Sequence, residues 1–491
     1  KAGREMAPSK SVVAGKQTPT QGGSSLVMVE IRADNGFSFE ELESSVWQQV
    51  VECFREVLVE ALSRVDTLLY ENRDAQRYVF KEMRSRTLMT KFGPITFKRR
   101  YYWDQEEKRF VFLLDEVLQI AKRQRVSESV RADAVEAAVT AGSFRGAAAE
   151  LGRRDCQVYV SHEAIRQWSI ETGMALAAAQ KQRQVTEGGT RKVRFLYIEA
   201  DGFWPGRQRG KKAEVRLFVI HEGWVERTPA GTEYRLVNRR DFIPDSGRDS
   251  WEQLSEFLER EYDLSDTWVI INGDRARWIR EGVTWFPKAL YQIDRFHLKQ
   301  ELNHVLRHQP RLLERANAAL ETNDAGGLLA VLEEARAAET DSKRRGEIRR
   351  LVADLRTIPE SIRDYRVRLQ ERGVSVEGLR GLGAAEGAVE RYSARLRKVG
   401  RSWSERGLKA MMHVLAAYFH GTLRGAVEMV ERQLGLESLA AVREKVRHRV
   451  VETVGRGIEG VRHGRMPILY AGRNASGGYS RMLRAAAGFT K

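Results

Sequence analysis

Apolar positions recur at three- and four-residue spacing from about residue 39. Trp47, Val50, Val51, Phe54, Val57, Leu58, Ala61, Leu62 and Val65 form one stripe, which predicts an amphipathic helix. Residues 1–38 mix Ser9, Thr18, Pro19, Gly22 and Gly23 with scattered cations, the composition of a disordered tail. Alternating apolar and polar positions take over between 85 and 113. There, residues 87–90 and 95–102 flank Phe92, Gly93 and Pro94, which predicts a β-hairpin around a Gly-Pro turn. Helical spacing returns from 114 to 175. Residues 143–152 predict a short helix ended by glycine, and Ser161 is placed to cap a second helix carrying Arg166 and Trp168. The two fit a helix-turn-helix with a long connector, and they fit a plain helical hairpin as well.

Beyond the polar residues 183–191 the pattern becomes α/β. Residues 193–202 predict a strand ending in Asp201 and Gly202, residues 215–220 a second, and 234–242 a third. An amphipathic helix follows over 250–262. Residues 268–274 then predict a buried strand that stops at Asp274. From 298 to about 380 the chain reads as helical and highly charged, and the stretch from about 440 is basic and rich in arginine.

Charge adds a partner to this picture. Eighty-three Lys and Arg stand against 67 Asp and Glu, a net +16, and such a field favours polyanions, nucleic acid first among them. With 42% hydrophobic residues, the chain is neither a disordered protein nor a membrane one. No apolar run reaches membrane-spanning length and no secretory leader is visible, so a cytoplasmic protein is expected. Two distant cysteines, Cys53 and Cys156, suit a reducing compartment and exclude a disulfide framework.

Candidate chemistry sits where strands end in acids. Asp201 and Asp274 would place two carboxylates at one sheet edge, the hard oxygen donors that Mg²⁺ takes, and two such ions serve phosphoryl transfer. Asp201-Gly202 and Asn272-Gly273-Asp274 are equally ordinary turn sequences. A third acid is expected on a nearby helix, and Glu386 shares a helical face with Val389, Ser393 and Leu396. Lys98, Arg99 and Arg100 beside Tyr101, Tyr102 and Trp103 suit a nucleic-acid backbone, or a solvated edge strand. Arg145, Ser161 and Arg166 are the DNA contacts a helix-turn-helix would supply. Asp294 fits a helix N-cap, with His297 and Lys299 either reaching a scissile phosphate or merely following the cap. Trp403 would stack on a base or pack between helices. No cysteine or histidine partner stands at zinc-ligand spacing from His297.

Over residues 45–420 the chain resembles the ISLre2-type transposases of bacterial insertion sequences. The resemblance rests on Thr90-Lys91-Phe92-Gly93 through Arg99-Arg100-Tyr101-Tyr102, on Leu113-Leu114-Asp115-Glu116, and on Tyr197-Ile198-Glu199-Ala200-Asp201-Gly202. It continues in Asn272-Gly273-Asp274 with Trp278-Ile279, in Asp294-Arg295-Phe296-His297-Leu298-Lys299, and in Glu386-Gly387-Ala388-Val389 with Ser402-Trp403-Ser404 and Gly407. It implies an α/β catalytic core with an RNase H-like mixed sheet and flanking helices. The core would be carried by residues 183–299 and 381–425, interrupted by a helical insertion over 300–380. A mostly helical DNA-binding region over 39–182 and a basic region over 426–491 flank it. It also implies the DDE acid set Asp201, Asp274 and Glu386, binding Mg²⁺ or Mn²⁺ as two ions, with Glu459 as the alternative third acid. Where that family tends to place a glycine after the second acid, this chain has Arg275. The expected partners are the element's terminal repeats and target DNA, handled by a homo-oligomer. A catalytically silent DNA-binding protein of the same fold is the alternative.

Overall fold

The apolar stripe near residue 39 folds as one 34-residue helix, α1 (Phe39–Asn72), started by a capping box in which Ser38 and Glu41 satisfy each other's backbone N–H. The computed structural model describes residues 38–153, 158–182, 189–209, 214–227, 233–397 and 401–432. The expected tail before Ser38, Cys156, and the basic stretch beyond Arg432 with Glu459 lie outside them. The chain divides into two units, Lys1–Ile165 with Val427–Lys491, and Arg166–Ala426.

In the first unit α1 lays Val65 and Leu69 on a three-stranded antiparallel sheet of β1 (Tyr78–Thr90), β2 (Gly93–Asp104) and β3 (Arg109–Val111). The hairpin turns one step earlier than the Gly-Pro pair suggested. Thr90 pairs with Gly93 and Met89 with Pro94, so Lys91 and Phe92 form the turn. The Thr90 hydroxyl closes it, donating to Gly93 O at 2.8 Å and accepting from Phe92 N at 3.2 Å, while Gly93 takes φ +93°. Pro94 is tolerated because it stands at the start of its strand. Helices α2 (Leu113–Val117), α3 (Glu128–Thr140) and α4 (Phe144–Arg153) follow, and α4 packs on α3. The expected glycine stop at Gly152 falls inside α4. Ser161 caps α5 (His162–Gln182), its Oγ accepting from Ala164 N at 3.2 Å.

The second unit is built on a mixed sheet of five strands. Along the chain these elements are β4 (Phe195–Phe203), the short β5 (Gly206–Arg207), β6 (Val215–His221), a hairpin of β7 (Trp224–Glu226) and β8 (Tyr234–Leu236), then β9 (Arg240–Phe242). Helix α6 (Ser250–Glu259), β10 (Trp268–Gly273), α7 (Arg277–Arg280) and β11 (Ala289–Ile293) complete it. The strand order is β11-β10-β4-β6-β9, with β10 parallel to both β11 and β4, β6 antiparallel to β4, and β9 antiparallel to β6. The single strand expected over 234–242 is two, because Asn238 at φ +48° breaks it and sends β8 to β7 and β9 to β6. Strand β11 escaped the pattern because it is five residues long and carries Gln292.

Alternation along β4 sorts its residues between two covered faces. Leu196, Ile198 and Ala200 join Trp251 of α6, Val269 and Ile271 in the larger core. Phe195 and Tyr197 join Ile270, Leu290, Tyr365 and Leu369 on the other side. Gly282 lies against the Trp251 ring so closely that a Cβ would sit 2.3 Å from it. Helices α8 (Arg295–Leu306), α9 (Pro310–Glu321), α10 (Ala325–Ala338) and α11 (Ser342–Arg356) add Leu302, Leu320, Leu332 and Leu355 to the same larger core. After α12 (Pro359–Ile362) and α13 (Tyr365–Gln370), α14 (Ala384–Leu396) packs on β4 and β6. Strand β12 (Ser402–Trp403) pairs with β5, and α15 (Glu405–Phe419) and α16 (Leu423–Arg432) end the described chain. Among the described residues no helix is long and apolar enough to cross a membrane.

Candidate active site

The second face of the sheet is apolar at the start of its strands and polar at their ends. Phe195 and Tyr197 are followed on that face of β4 by Glu199 and Asp201, and Ile270 by Asn272. Parallel pairing then aligns the acids. Gly273 is registered with both Ala200 and Ile293, so Asp201, Asp274 and Asp294 each stand one residue past the same rung. Three adjacent strands thus deliver three aspartates to one edge.

Asp294 spends its carboxylate on order. As N-cap of α8 its Oδ1 accepts from Phe296 N (2.9 Å) and His297 N (3.0 Å), and its Oδ2 accepts from Asn272 Nδ2 (3.0 Å). His297 Nδ1 lies 3.4 Å from Asp294 Oδ1, and its Nε2 lies 3.4 Å from Glu386 Oε2. Against the cost of burial, the bonds from His297 and Asn272 hold Asp294 below the usual carboxylate range. The Asp294 hydrogen bond, with the charges of Asp294, Asp201 and Glu386, outweighs desolvation and raises His297 to about 9, so the ring is a cation at neutral pH.

Asp201, Glu386 and His297 bring one ligand atom each within 4.8 Å of one another. Burial pushes Asp201 up to about 6, with the charges of Asp274 and Glu386 adding to it and the Gly202 N–H and His297 opposing it. Asp274 is therefore felt by Asp201, yet it stands outside the three-residue cluster. It is half-buried, and its Oδ1 accepts from Ala276 N at 2.8 Å, while Tyr291 Oη donates to its carbonyl at 2.7 Å. The next residue, Arg275, pairs with Glu301 and, at 2.9 Å, with Asp354. Glu386 sits in the first turn of α14, at the edge of its buried face. That face is formed by Ala385, Ala388, Tyr392, Arg395 and Leu396, one residue round from the stripe expected through Val389 and Ser393.

The remaining candidates are dispersed. Lys299 pairs with Glu321 at 3.3 Å. Lys98 is exposed, but Arg99 pairs with Asp115 and stacks 3.5 Å over Phe112, and Arg100 pairs with buried Asp66 at 2.7 Å. Of the three cations expected to face phosphate, two are thus spent on folding the hairpin, because their strand positions face α1 and α2 neighbours. Arg145 is exposed, Arg166 is half-buried, and Ser161 serves as the cap described above. Trp403 is 8% exposed and its Nε1 donates to Leu396 O at 2.9 Å, so of its two expected roles the ring takes the packing one here. Accordingly, Trp403→Phe should cost about 1–2 kcal/mol through the orphaned Leu396 carbonyl and leave DNA affinity unchanged, as thermal melts and gel shifts would read.

The residue missed in the sequence is Glu199, whose side chain is fully buried. Its signal was an acid inside an otherwise apolar strand, two positions before Asp201.

The donor set suits a divalent cation. Metal–oxygen bonds of about 2.1 Å place opposite ligands roughly 4.2 Å apart, so a small closure of the 4.8 Å cluster would accommodate an ion. Because a ligand must shed its proton, Mn²⁺ affinity should rise about tenfold per pH unit up to the Asp201 value of about 6 and then flatten. Calorimetry across pH 5–9 checks this. A rise that continues to about 9 would make His297 a ligand instead of a hydrogen-bond donor.

A family model described as Uncharacterised protein family (UPF0236) matches residues 32–433. The chain is similar to a UPF0236 protein of Caldanaerobacter subterraneus subsp. tengcongensis, 25% identical over 380 residues covering 77% of either chain, whose name joins eleven designations in that strain. Another from the same strain is 26% identical over 390 residues, 78% of this chain and 80% of its own. A UPF0236 protein of Streptococcus gallolyticus, named for the vanSb 3′ region, is 29% identical over 388 residues, 78% of this chain and 83% of its own.

Proposed function

The chain belongs to the UPF0236 family, and on that premise we propose that it is the DNA transposase of an insertion sequence, of the ISLre2 type, with an RNase H-like catalytic core. The observation that carries the reading is the convergence of Asp201, Asp274 and Glu386 on one edge of a mixed sheet, with Asp201 and Glu386 close enough to share an ion. The sheet itself, an antiparallel meander extended by two parallel strands, is compatible with such a core. The relative's name is a second support, since eleven designations for one protein in one strain are what a gene copied about a genome leaves.

Asp201 and Glu386 would hold Mg²⁺ or Mn²⁺, with Asp274 beside them for a second ion. Bound there, the metal supplies Lewis-acid polarisation of the phosphate and a more acidic nucleophile. The chain's own part is to fix these acids near the ends of rigid strands and at a helix start, and to hold the protonated His297 ring between Asp294 and Glu386 at the rim of the cluster. Water attacking the phosphodiester at the element end breaks the P–O3′ bond and leaves a 3′-hydroxyl. That hydroxyl then attacks target DNA, forming a new phosphodiester and releasing a target 3′-hydroxyl. The exposed Lys98 and the net charge of +16 suit binding to the phosphate backbone, and holding two ends calls for a homo-oligomer on DNA.

Incubation of a labelled element-end duplex with the protein and Mg²⁺ or Mn²⁺ tests the reading. Cleaved ends and strand-transfer products are expected. Binding without any cut would make the chain a silent DNA-binding protein, and cuts without joining would make it a nuclease.

A further inference from the structure

Helix α14 begins without a side-chain cap of its own. Its N-cap is Gly383 at φ +150°, which offers no side-chain acceptor for the N–H groups of the first turn. The acceptor comes instead from β4, nearly two hundred residues earlier. Glu199 Oε2 accepts from Gly383 N (2.7 Å), Ala384 N (2.7 Å) and, more loosely, Ala385 N (3.4 Å). Glu386 is the next residue of that turn. The same oxygen accepts from Asn272 Nδ2 at 3.2 Å, and Oε1 lies 3.2 Å from His221 Nε2.

Asn272 carries the connection onward, because its Nδ2 also donates to Asp294 Oδ2 at 3.0 Å, and Asp294 orders His297. One fully buried carboxylate therefore joins both sides of the cluster: the helix start that bears Glu386, and the capped helix that bears His297. Glu199 is on the same face as Asp201, two residues away on a rigid strand, so it ties the third acid's position to that of the first.

We propose that Glu199 is a positioning residue: it sets the separation of Glu386 from Asp201 and the placement of His297, without touching substrate or metal. The inference rests on the metal-dependent reading above and deepens it. Shortening the side chain by one methylene should leave the charge in place but withdraw it from α14. Asp substitution should therefore weaken Mn²⁺ binding by about 10–100-fold, the range seen when outer-sphere partners of metal ligands are lost. Glu199→Gln should stay close to wild type, since its carbonyl can take the three backbone N–H groups while its amide donates to His221 Nε2, the ring moving its proton to Nδ1, where Gly223 O lies 3.3 Å away.

The experiment compares wild type with E199D, E199Q and E386A in the full chain, using Mn²⁺ affinity by electron paramagnetic resonance and the ring ¹⁵N signals of His297 without metal. Circular dichroism verifies folding. In E199D, weakened Mn²⁺ binding together with a displaced His297 signal is expected. A folded E199D with wild-type affinity and an unmoved His297 overturns the proposal. So does a folded E199Q that loses Mn²⁺ as completely as E386A, because charge and not position would then be at stake. Should E199D fail to fold, E199Q decides alone by the same criterion. If wild type binds no Mn²⁺, the metal-dependent reading falls, while the His297 signal still decides whether Glu199 positions the cluster.

Discussion

Asp201→Ala, Asp274→Ala and Glu386→Ala are each expected to slow metal-dependent cleavage of an element-end duplex by at least about a thousandfold, the several kcal/mol that a bound metal contributes to phosphoryl transfer. Asp201 should be the most sensitive. It is buried, it stands on a strand interior to the sheet, and the charges of both other acids act on it. Asp274→Ala removes a side chain that holds its own turn through Ala276 N, so part of its effect would pass through the backbone after β10. Combining any two substitutions should cost little more than the worse one, because the acids act as a unit. Gel shifts on the same variants should show DNA affinity intact, since removing acids takes no phosphate contact away. If Glu386→Ala alone keeps its activity, the third acid lies elsewhere and Glu459 is the next to test.

Asp294→Ala is expected to destabilise the second unit by about 3 kcal/mol. Loss of the α8 cap accounts for roughly 1 kcal/mol. The rest comes from a buried Asn272 amide left with one acceptor fewer, a cost of about 1–3 kcal/mol at a residue that is 1% exposed. Urea unfolding measures it. Asp294→Asn separates the two roles of this side chain. An asparagine caps nearly as well, so roughly 1 kcal/mol should return, but its amide cannot accept from Asn272 Nδ2 and the negative charge beside His297 is gone. The ring should then titrate well below its present value of about 9, and lose its charge at neutral pH. Cleavage by the asparagine variant should fall about tenfold or more if a protonated His297 serves the phosphate, and should match wild type if the ring only fills space. Histidine NMR across pH 5–10 and single-turnover cleavage read the two consequences independently.

Several features of the site were legible from local chemistry. Asp201 and Asp274 could be found because β4 and β10 are dense apolar runs with an acid near their C-terminal ends, although β4 runs on past the expected stop at Asp201 to Phe203, where β6 still pairs with it. The caps at Ser161 and Asp294 were equally local, since the N–H groups they satisfy lie two or three residues away. The stripe of α1 needed only its own periodicity. The chain's cationic character likewise needed no fold, only its count of Lys and Arg against Asp and Glu.

What only the tertiary structure decided depends on partners distant in the chain. Arg99 and Arg100 looked like phosphate ligands until folding brought Asp115 and Asp66 against them. Trp403 was ambiguous between a base and a core because its hydrogen-bond partner, Leu396 O, belongs to the last residue of α14, on a different element. The face of α14 that buries is chosen by β4 and β6, not by its own weak stripe. Glu199 is the clearest case. In sequence it is an acid misplaced in a strand, and its meaning comes from N–H groups more than 180 residues onward. Sequence therefore determined the long apolar strands, the acids near their ends, the local caps and the cationic character, all of which follow from neighbours within a few residues. Packing decided which acids meet, which cations stay free and what holds Glu386 in place, because a buried carboxylate takes its role from whichever donors the fold brings within hydrogen-bond reach.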